Sequence, residues 1–326
     1  MDIESILRKT LKPALGCTEP VAIALAVAAA IQSTGGWAPG QEETPIRGLQ
    51  AEDVESIRVS VNRNIFKNAF SIYIPNTGGQ KGILMAAALG VWCDPGAGLE
   101  LFRDIQSDFV TQARRLIDGG RISVEIVPAD HTDLFIEARV RVHRGSDSHE
   151  GVGVIEDEHT NLVLLQCDGV EVFRRAPTRS TGGDADEIMG DLATLTLEDL
   201  VHMADNLPES VHPLLRKAIE LNTKVAEAGL DQPLGLGVGY HSLRSEEGPE
   251  RERYLSSGAA AGSDARMSGC PIEVMSSAGS GNQGIIATIP VYAYCRGGGV
   301  GDTQMLQAVA LSHLVTMYVT THIGYL

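Results

Sequence analysis

Leu15-Gly16-Cys17-Thr18-Glu19-Pro20 runs without a break into Val21-Ala22-Ile23-Ala24-Leu25-Ala26-Val27-Ala28-Ala29-Ala30-Ile31. Pro20 suits the first turn of a helix, where its missing N–H costs nothing, and Thr18 or Glu19 can cap the free N–H groups. The run that follows has no polar face, so the helix it forms is buried on all sides. Cys17 then stands just ahead of the positive end of a buried helix dipole, a place that favours thiolate over thiol. Such a thiolate is a metal ligand or a nucleophile. The competing reading is a small buried hydrophobe, and the polar Thr18-Glu19 pair brings the two into balance.

On the N-terminal side, residues 2–12 form an amphipathic pattern with Ile3, Ile6, Leu7 and Leu11 on one face. On the other side the buried helix ends near Ser33-Thr34-Gly35-Gly36, and a Gly/Pro/Glu-rich surface loop extends to about Gln50. The period then changes. Val54–Val61 and Ala69–Ile74 read as strands, and Asn76-Thr77-Gly78-Gly79-Gln80-Lys81-Gly82 as a turn opening an apolar helix, Ile83–Gly90. An amphipathic helix over Leu99–Gly119 follows, and then short strands at Arg121–Val127, Leu134–His143, Gly151–Glu156, Leu162–Cys167 and Val170–Arg174. Arg175–Asp186 reads as a linker, after which the chain is helical apart from an interrupting loop at Gly229–Gly248. The fold class expected is α+β: a helical body of residues 1–49 and 178–326, with an inserted, mainly antiparallel α+β unit at 50–177.

Composition excludes some functions. A net charge of −16 argues against non-specific nucleic-acid binding. Five widely spaced cysteines, none at CxxC distance, point to a reducing compartment and a cytoplasmic location. Val21–Ile31 is too short to span a bilayer, and Met305–Leu326 carries His313, Thr320, Thr321 and His322, so a buried helix is expected there and no membrane association.

A second Gly-rich stretch, Ser276-Ser277-Ala278-Gly279-Ser280-Gly281-Asn282-Gln283-Gly284, runs straight into an apolar helix. Glycines let backbone N–H groups turn inward, and a helix start favours an anion. The serine hydroxyls and the Asn282 amide add neutral donors, which suits a carboxylate better than a polyphosphate, since no P-loop lysine follows. Gly279, Gly281 and Gly284 match a GxGxxG spacing, but the surrounding chain is helical rather than βαβ, so a dinucleotide site is rejected. The plainer alternative is a tight turn between packed helices.

These stretches together resemble a known family, the serine dehydratase-like alpha-chain proteins of the L-cysteine desulfidase (UPF0597) type. The resemblance rests on Lys12-Pro13-Ala14-Leu15-Gly16-Cys17-Thr18-Glu19-Pro20, Asn64-Ile65-Phe66-Lys67-Asn68, Ile74-Pro75-Asn76-Thr77-Gly78, His159-Thr160-Asn161, Ser280-Gly281-Asn282-Gln283-Gly284-Ile285 and Leu311-Ser312-His313-Leu314. It implies a lyase that removes H₂S from L-cysteine, or water from L-serine, to give pyruvate and ammonia with a [4Fe–4S] cluster and no pyridoxal phosphate. Cys17 is then a cluster ligand, and an open iron holds the leaving group as a Lewis acid. Glu19 and Lys67 become the catalytic candidates. Thr18, Asn64, Asn68, Thr77, Gly78, His159, Thr160, Asn161, Ser277, Ser280, Gly281, Asn282 and Gly284 become the substrate-binding ones.

Each has a plainer alternative: Glu19 as an N-cap, Lys67 as a solvated lysine at a strand boundary, His159 as a turn residue, and His313 as a satisfied core histidine, which is favoured. The chain departs from the family at its end. The other cluster cysteines of the family lie downstream of the helix that closes this sequence, and Cys93, Cys167, Cys270 and Cys295 stand in no family ligand motif. The resemblance is therefore to a member shortened at its C-terminus, with the cluster expected absent or incomplete. A cluster-free binding module and a Cys17-nucleophile enzyme with a histidine partner are the alternatives. Cys17 and the two Gly-rich loops are expected to serve one small amino-acid substrate. An apolar patch near the C-terminus is expected to make a homo-oligomer, most simply a dimer.

Overall fold

The structure, a computed structural model, describes residues 2–41, 48–128, 134–175, 188, 190–245 and 250–323. Most of the linker expected at Arg175–Asp186, part of the loop before Gln50 and the last three residues lie outside these. The chain forms two compact units, Leu15–Ala176 and Met1–Ala14 with Pro177–Leu326.

The first unit is built on a six-stranded sheet in the order β3-β2-β4-β5-β6-β7. Its strands are β2 (Val54–Val61), β3 (Ile122–Ile126), β4 (Phe135–Arg144), β5 (Asp147–Glu156), β6 (Leu162–Cys167) and β7 (Val170–Arg174). Every pairing is antiparallel except β2 with β3, which runs parallel in the register Ile57↔Ile122 to Val61↔Ile126. The fold is α+β, as expected.

The helix α2 (Thr18–Ser33) is buried along almost its whole length, from Pro20 to Ser33. It lies in the core of this unit with Ile57, Val59, Ile136, Val140 and Ile155 of the sheet. The described residues of 15–49 therefore belong with the sheet rather than with the helical body, a correction to the expected boundary. The reason is local to β5. A Cβ on Gly151 would fall 1.9 Å from the Ala30 carbonyl oxygen, and one on Gly153 would fall 2.6 Å from that of Ala26. Two bare positions on the strand admit the alanine face of the helix to backbone contact. Periodicity announces that α2 is buried but not what covers it.

A second correction concerns Ala69–Ile74. The side chain of Asn62 accepts from the Ile65 N–H at 3.2 Å and caps a short helix α3 (Arg63–Ala69) that takes up Ala69, and beyond it Tyr73 makes an isolated antiparallel bridge with Lys81 in place of a strand. The segment expected as one helix over Leu99–Gly119 contains a 3₁₀ stretch, Pro95–Glu100, and α5 (Ser107–Asp118), with α4 (Ile83–Leu89) ahead of them.

The second unit contains α1 (Ile3–Thr10), α6 (Leu197–Asp205), α7 (His212–Asp231), α8 (Val238–Arg244), α9 (Glu250–Met267), α10 (Gly281–Gly297) and α11 (Asp302–Ile323). The expected loop over Gly229–Gly248 thus holds a short helix. Close approach sets the packing here too, since Cβ atoms on Gly229 and Gly239 would lie 2.1 Å from the carbonyl oxygen and 2.2 Å from the amide nitrogen of Ala261. Helix α11 buries Leu306, Val309, Ala310, His313, Leu314 and Met317 as one stripe, while Val319 and Ile323 are exposed. It is covered along this stripe and exposes apolar side chains towards its C-terminal end. A two-residue strand β1 (Pro13–Ala14) pairs antiparallel with β8 (Val274–Met275), in the register Pro13↔Met275 and Ala14↔Val274. The start of the first motif is thereby stitched to the strand that feeds the second Gly-rich loop.

Candidate functional site

Each unit carries its own set of candidate residues. In the sheet unit, Gly16 takes φ +76°, and a side chain there would strike Pro75, whose Cγ lies 2.7 Å from the Cβ position. That turn delivers Cys17 as the N-cap of α2, with extended backbone and no side-chain cap. Capping by Thr18 or Glu19 is not what happens. The side chains converge on Glu19 instead. Cys17 Sγ donates to Glu19 Oε2 at 2.7 Å and Thr18 Oγ1 donates to the same oxygen at 3.3 Å. Asn68 Nδ2 donates to Oε1 at 3.0 Å. Cys17 is only 6% exposed, and Glu19 is half-buried in the first helical turn, where the dipole favours a negative charge.

A carboxylate with both oxygens held beside a thiol is a general-base geometry, and the thiol is its nearest proton source. The acceptor of the Cys17 thiol at 2.7 Å is this carboxylate.

Other residues of this set are placed less centrally. Lys67 is exposed in the last turn of α3, not at a strand boundary, and Asn64 is exposed one turn before it. Thr77 is buried and holds its own turn, donating to the Ile74 carbonyl at 2.6 Å and accepting from Gln80 N at 3.1 Å, while Gly78 has φ +67°. His159, Thr160 and Asn161 form the β5–β6 turn, where Asn161 Nδ2 donates to the Glu156 carbonyl at 2.9 Å.

In the helical unit the loop Ser276–Ser280 closes on itself, with Ser277 and Ser280 exchanging both backbone hydrogen bonds at 3.0 Å. Ala278 and Gly279 take φ +48° and +80°, the left-handed turn that the glycine-rich sequence requires. Ser280 caps α10, accepting from Gln283 N at 3.3 Å. Ser276 donates twice to the Lys12 carbonyl, from N at 2.8 Å and Oγ at 2.7 Å. Gly284 is obligatory, since a Cβ would sit 1.9 Å from the Met275 carbonyl oxygen.

Beneath the loop, fully buried Asn222 of α7 accepts from Met275 N at 2.9 Å. Its Nδ2 lies 3.2 Å from Met275 O, 3.0 Å from Gly284 O and 3.0 Å from Thr288 Oγ1. Thr288 in turn lies 3.1 Å from Nε2 of buried His313, whose pKa is lowered to about 4 by burial. His313 is a neutral core residue under this loop.

Two further residues, Asn222 and Arg266, escaped the sequence reading. Arg266 is 3% exposed in α9 and donates from Nη1 to Asn282 Oδ1 at 3.1 Å. The available signal was a cation directly after the small-residue-rich run Ala259–Ala265, eleven positions before Ser277.

The five cysteines are all free. Burial pushes the Cys93, Cys167, Cys270 and Cys295 thiols up, for Cys93 far above the ordinary range. A [4Fe–4S] cluster needs several thiolates around one point. Among the described residues, one group of three or more His, Cys, Asp or Glu donors converges within 4.8 Å, and it is His149, Cys167 and Asp168. Cys17 is not in it. The His149 group is accounted for as a tie across the sheet. Asp168 accepts from Glu150 N at 2.8 Å and lies 2.8 Å from His149 Nδ1, a contact that holds its carboxyl below the usual range.

A family model described as the serine dehydratase alpha chain matches residues 149–326. A UPF0597 protein of Caldanaerobacter subterraneus subsp. tengcongensis is 31% identical over 325 residues, covering 99% of this chain and 71% of its own length. One from Desulfatibacillum aliphaticivorans is 35% identical over 333 residues, covering 99% and 72%. One from Geobacter sulfurreducens is 33% identical over 323 residues, covering 98% and 70%. No solved structure matches the chain.

Proposed function

The chain belongs to the serine dehydratase alpha-chain-like UPF0597 family, and from that premise we propose that it carries the amino-acid-binding and proton-transfer parts of a β-eliminating lyase acting on L-cysteine or L-serine. The observation that carries this reading is the Glu19 carboxylate, held by Cys17, Thr18 and Asn68 at the start of a buried helix. Elimination needs a base for the α-proton, and a carboxylate fixed through both oxygens and shielded on one side is suited to that task. Within its own unit, the loop Ser277–Gly284 offers a carboxylate the backbone N–H groups, serine hydroxyls and first turn of α10.

In this reading the ionised Glu19 carboxylate takes the α-proton, while the Cys17 thiol and the Asn68 amide each donate a hydrogen bond that keeps it oriented. The leaving group needs an electrophile. The cluster that the resemblance implies would supply one when bound. The engagement of the Cys17 thiol with Glu19 favours a second reading: a binding module of the same fold, without turnover.

Anaerobic protein incubated with iron and sulfide, then with L-cysteine or L-serine, separates the two. Broad absorbance near 400 nm together with pyruvate release supports the lyase. Colourless protein that binds the amino acid without releasing pyruvate supports the module.

A further inference from the structure

Among the described residues, Arg266 is a buried cation without a counter-charge. Its hydrogen-bond partners are Asn282 Oδ1 at 3.1 Å and Met267 Sδ at 3.7 Å, and its Nε has no partner. Among the described residues no carboxylate pairs with it. Buried arginines are ordinarily paired, because an uncompensated charge in a low-dielectric interior is costly. This one also lies against the N-terminus of a 17-residue helix, where the dipole is already positive. A Cβ on Gly281, the first residue of α10, would fall 2.4 Å from Arg266 Nε, so the glycine is what lets the guanidinium reach this point. In the adjoining turn, Ser277 Oγ is likewise fully buried and unpartnered. Two positive features and an orphan hydroxyl in one loop ask for an anion.

The Asn282 amide carries the argument from charge to orientation. A guanidinium has only donors, so its contact must be with Oδ1 of Asn282, which fixes which end of the amide is which. The Nδ2 amino group is thereby left as a donor on a half-buried residue of the loop.

We propose that Arg266 is the fixed cation of the carboxylate cradle: it compensates a bound monocarboxylate and holds Asn282 with its amino group as the donor left for that ligand. It is a positioning residue, and the proposal rests on the reading of Ser277–Gly284 as the carboxylate site. Its ligand class is an α-amino monocarboxylate, because the loop offers one cation and several neutral donors, which suits a single negative charge better than a di- or trianion.

The test compares binding of L-serine, L-alanine and ethanolamine to the full chain by calorimetry, for wild type, Arg266→Gln, Arg266→Lys and Asn282→Asp. Wild type is expected to bind the two carboxylates and not ethanolamine. Arg266→Gln is expected to weaken them roughly 10- to 100-fold, with Arg266→Lys in between. Asn282→Asp places a carboxylate against Arg266, so it is expected to raise the melting temperature and abolish binding of both carboxylates.

Equal affinity in wild type, Arg266→Gln and Arg266→Lys overturns the proposal while leaving the carboxylate reading of the loop intact. Binding of ethanolamine as tight as that of L-serine also overturns it. If Arg266→Gln does not fold, Arg266→Lys and Asn282→Asp decide. An unchanged or lower melting temperature for Asn282→Asp means the cation is already compensated, and the proposal falls. A wild-type chain that binds none of the three ligands removes the amino-acid reading itself, and the proposal with it.

Discussion

Asn68 Nδ2 lies 3.0 Å from Glu19 Oε1, joining α3 to the first turn of α2 across 49 residues of chain. The contact ties two motifs that no local pattern connects. It also holds the carboxylate from the side opposite to Cys17, which donates to the other oxygen at 2.7 Å. A base held on both sides loses little orientational entropy when it meets a substrate.

Exchange of the α-proton of L-serine or L-cysteine with deuterated solvent tests this role separately from elimination. Glu19→Gln is expected to slow exchange by at least about 100-fold, the usual contribution of a positioned general base. Asn68→Ala is expected to slow it about 10-fold, the worth of one hydrogen bond to a charged group. Exchange at the wild-type rate in Glu19→Gln would remove Glu19 as the base.

Stability depends on bare strand positions in the same unit. Gly151→Ala would push a methyl group to within 1.9 Å of the Ala30 carbonyl oxygen, with backbone on both sides of the clash. The expected cost is roughly 1–3 kcal/mol, as for overpacking, read as a fall of about 2–4 °C in melting temperature per kcal/mol. Gly190→Ala, with nothing within 4 Å of the new carbon, is the control and is expected to be near neutral. Similar melting temperatures for the two variants would remove the helix–sheet contact as a constraint.

These features mark how far the sequence could be read. The burial of α2, the α+β class and the turn at Ser277–Gly284 follow from local pattern, because an all-apolar helix and a glycine-rich turn have few alternatives. The sheet that covers α2 was not legible, since the information sits in Gly151 and Gly153, which look like ordinary strand interruptions. Asn62 capping α3 was overlooked because the strand before it runs straight into the capped helix. The support beneath the second loop was hidden for a different reason. Asn222, Arg266 and His313 are 44, 47 and 91 positions apart in sequence, with no pattern linking them, and only tertiary packing sets Asn222 and Arg266 against residues of the loop and Asn222 and His313 on Thr288.

His313 gives a pH dependence with a defined sign. Burial lowers its pKa from 6.5 to about 4 in the folded chain, so between these values the unfolded chain binds more protons. Its contribution is therefore complete above about pH 6.5 and is lost as pH falls through about 4, amounting to roughly 3 kcal/mol across the window. Urea unfolding at pH 7, 5.5 and 4.5 is expected to show this loss in wild type and a flatter profile in His313→Asn. Parallel pH profiles for the two proteins would mean that His313 does not titrate with unfolding.

The last expectation concerns Asn222, whose amide reaches both backbone groups of Met275 and the Gly284 carbonyl. It bridges the two ends of the Ser276–Gln283 loop from below and has no exposure to solvent. Removing it leaves the Met275 N–H without its acceptor in a dry interior, at about 1–3 kcal/mol for the orphaned group alone. Asn222→Ala is therefore expected to destabilise the helical unit and to open the loop locally before the rest unfolds. Hydrogen exchange on peptides covering Val274–Gly284 reads this directly, with faster exchange in the variant at these positions and unchanged exchange in β4 and β5. Asn222→Asp keeps the acceptor for Met275 N but sets a carboxylate against two carbonyl oxygens, so it is expected to restore none of the protection. Protection of Val274–Gly284 equal to wild type in both variants would show that the loop is held by its own turn and by Lys12, and that Asn222 only fills space.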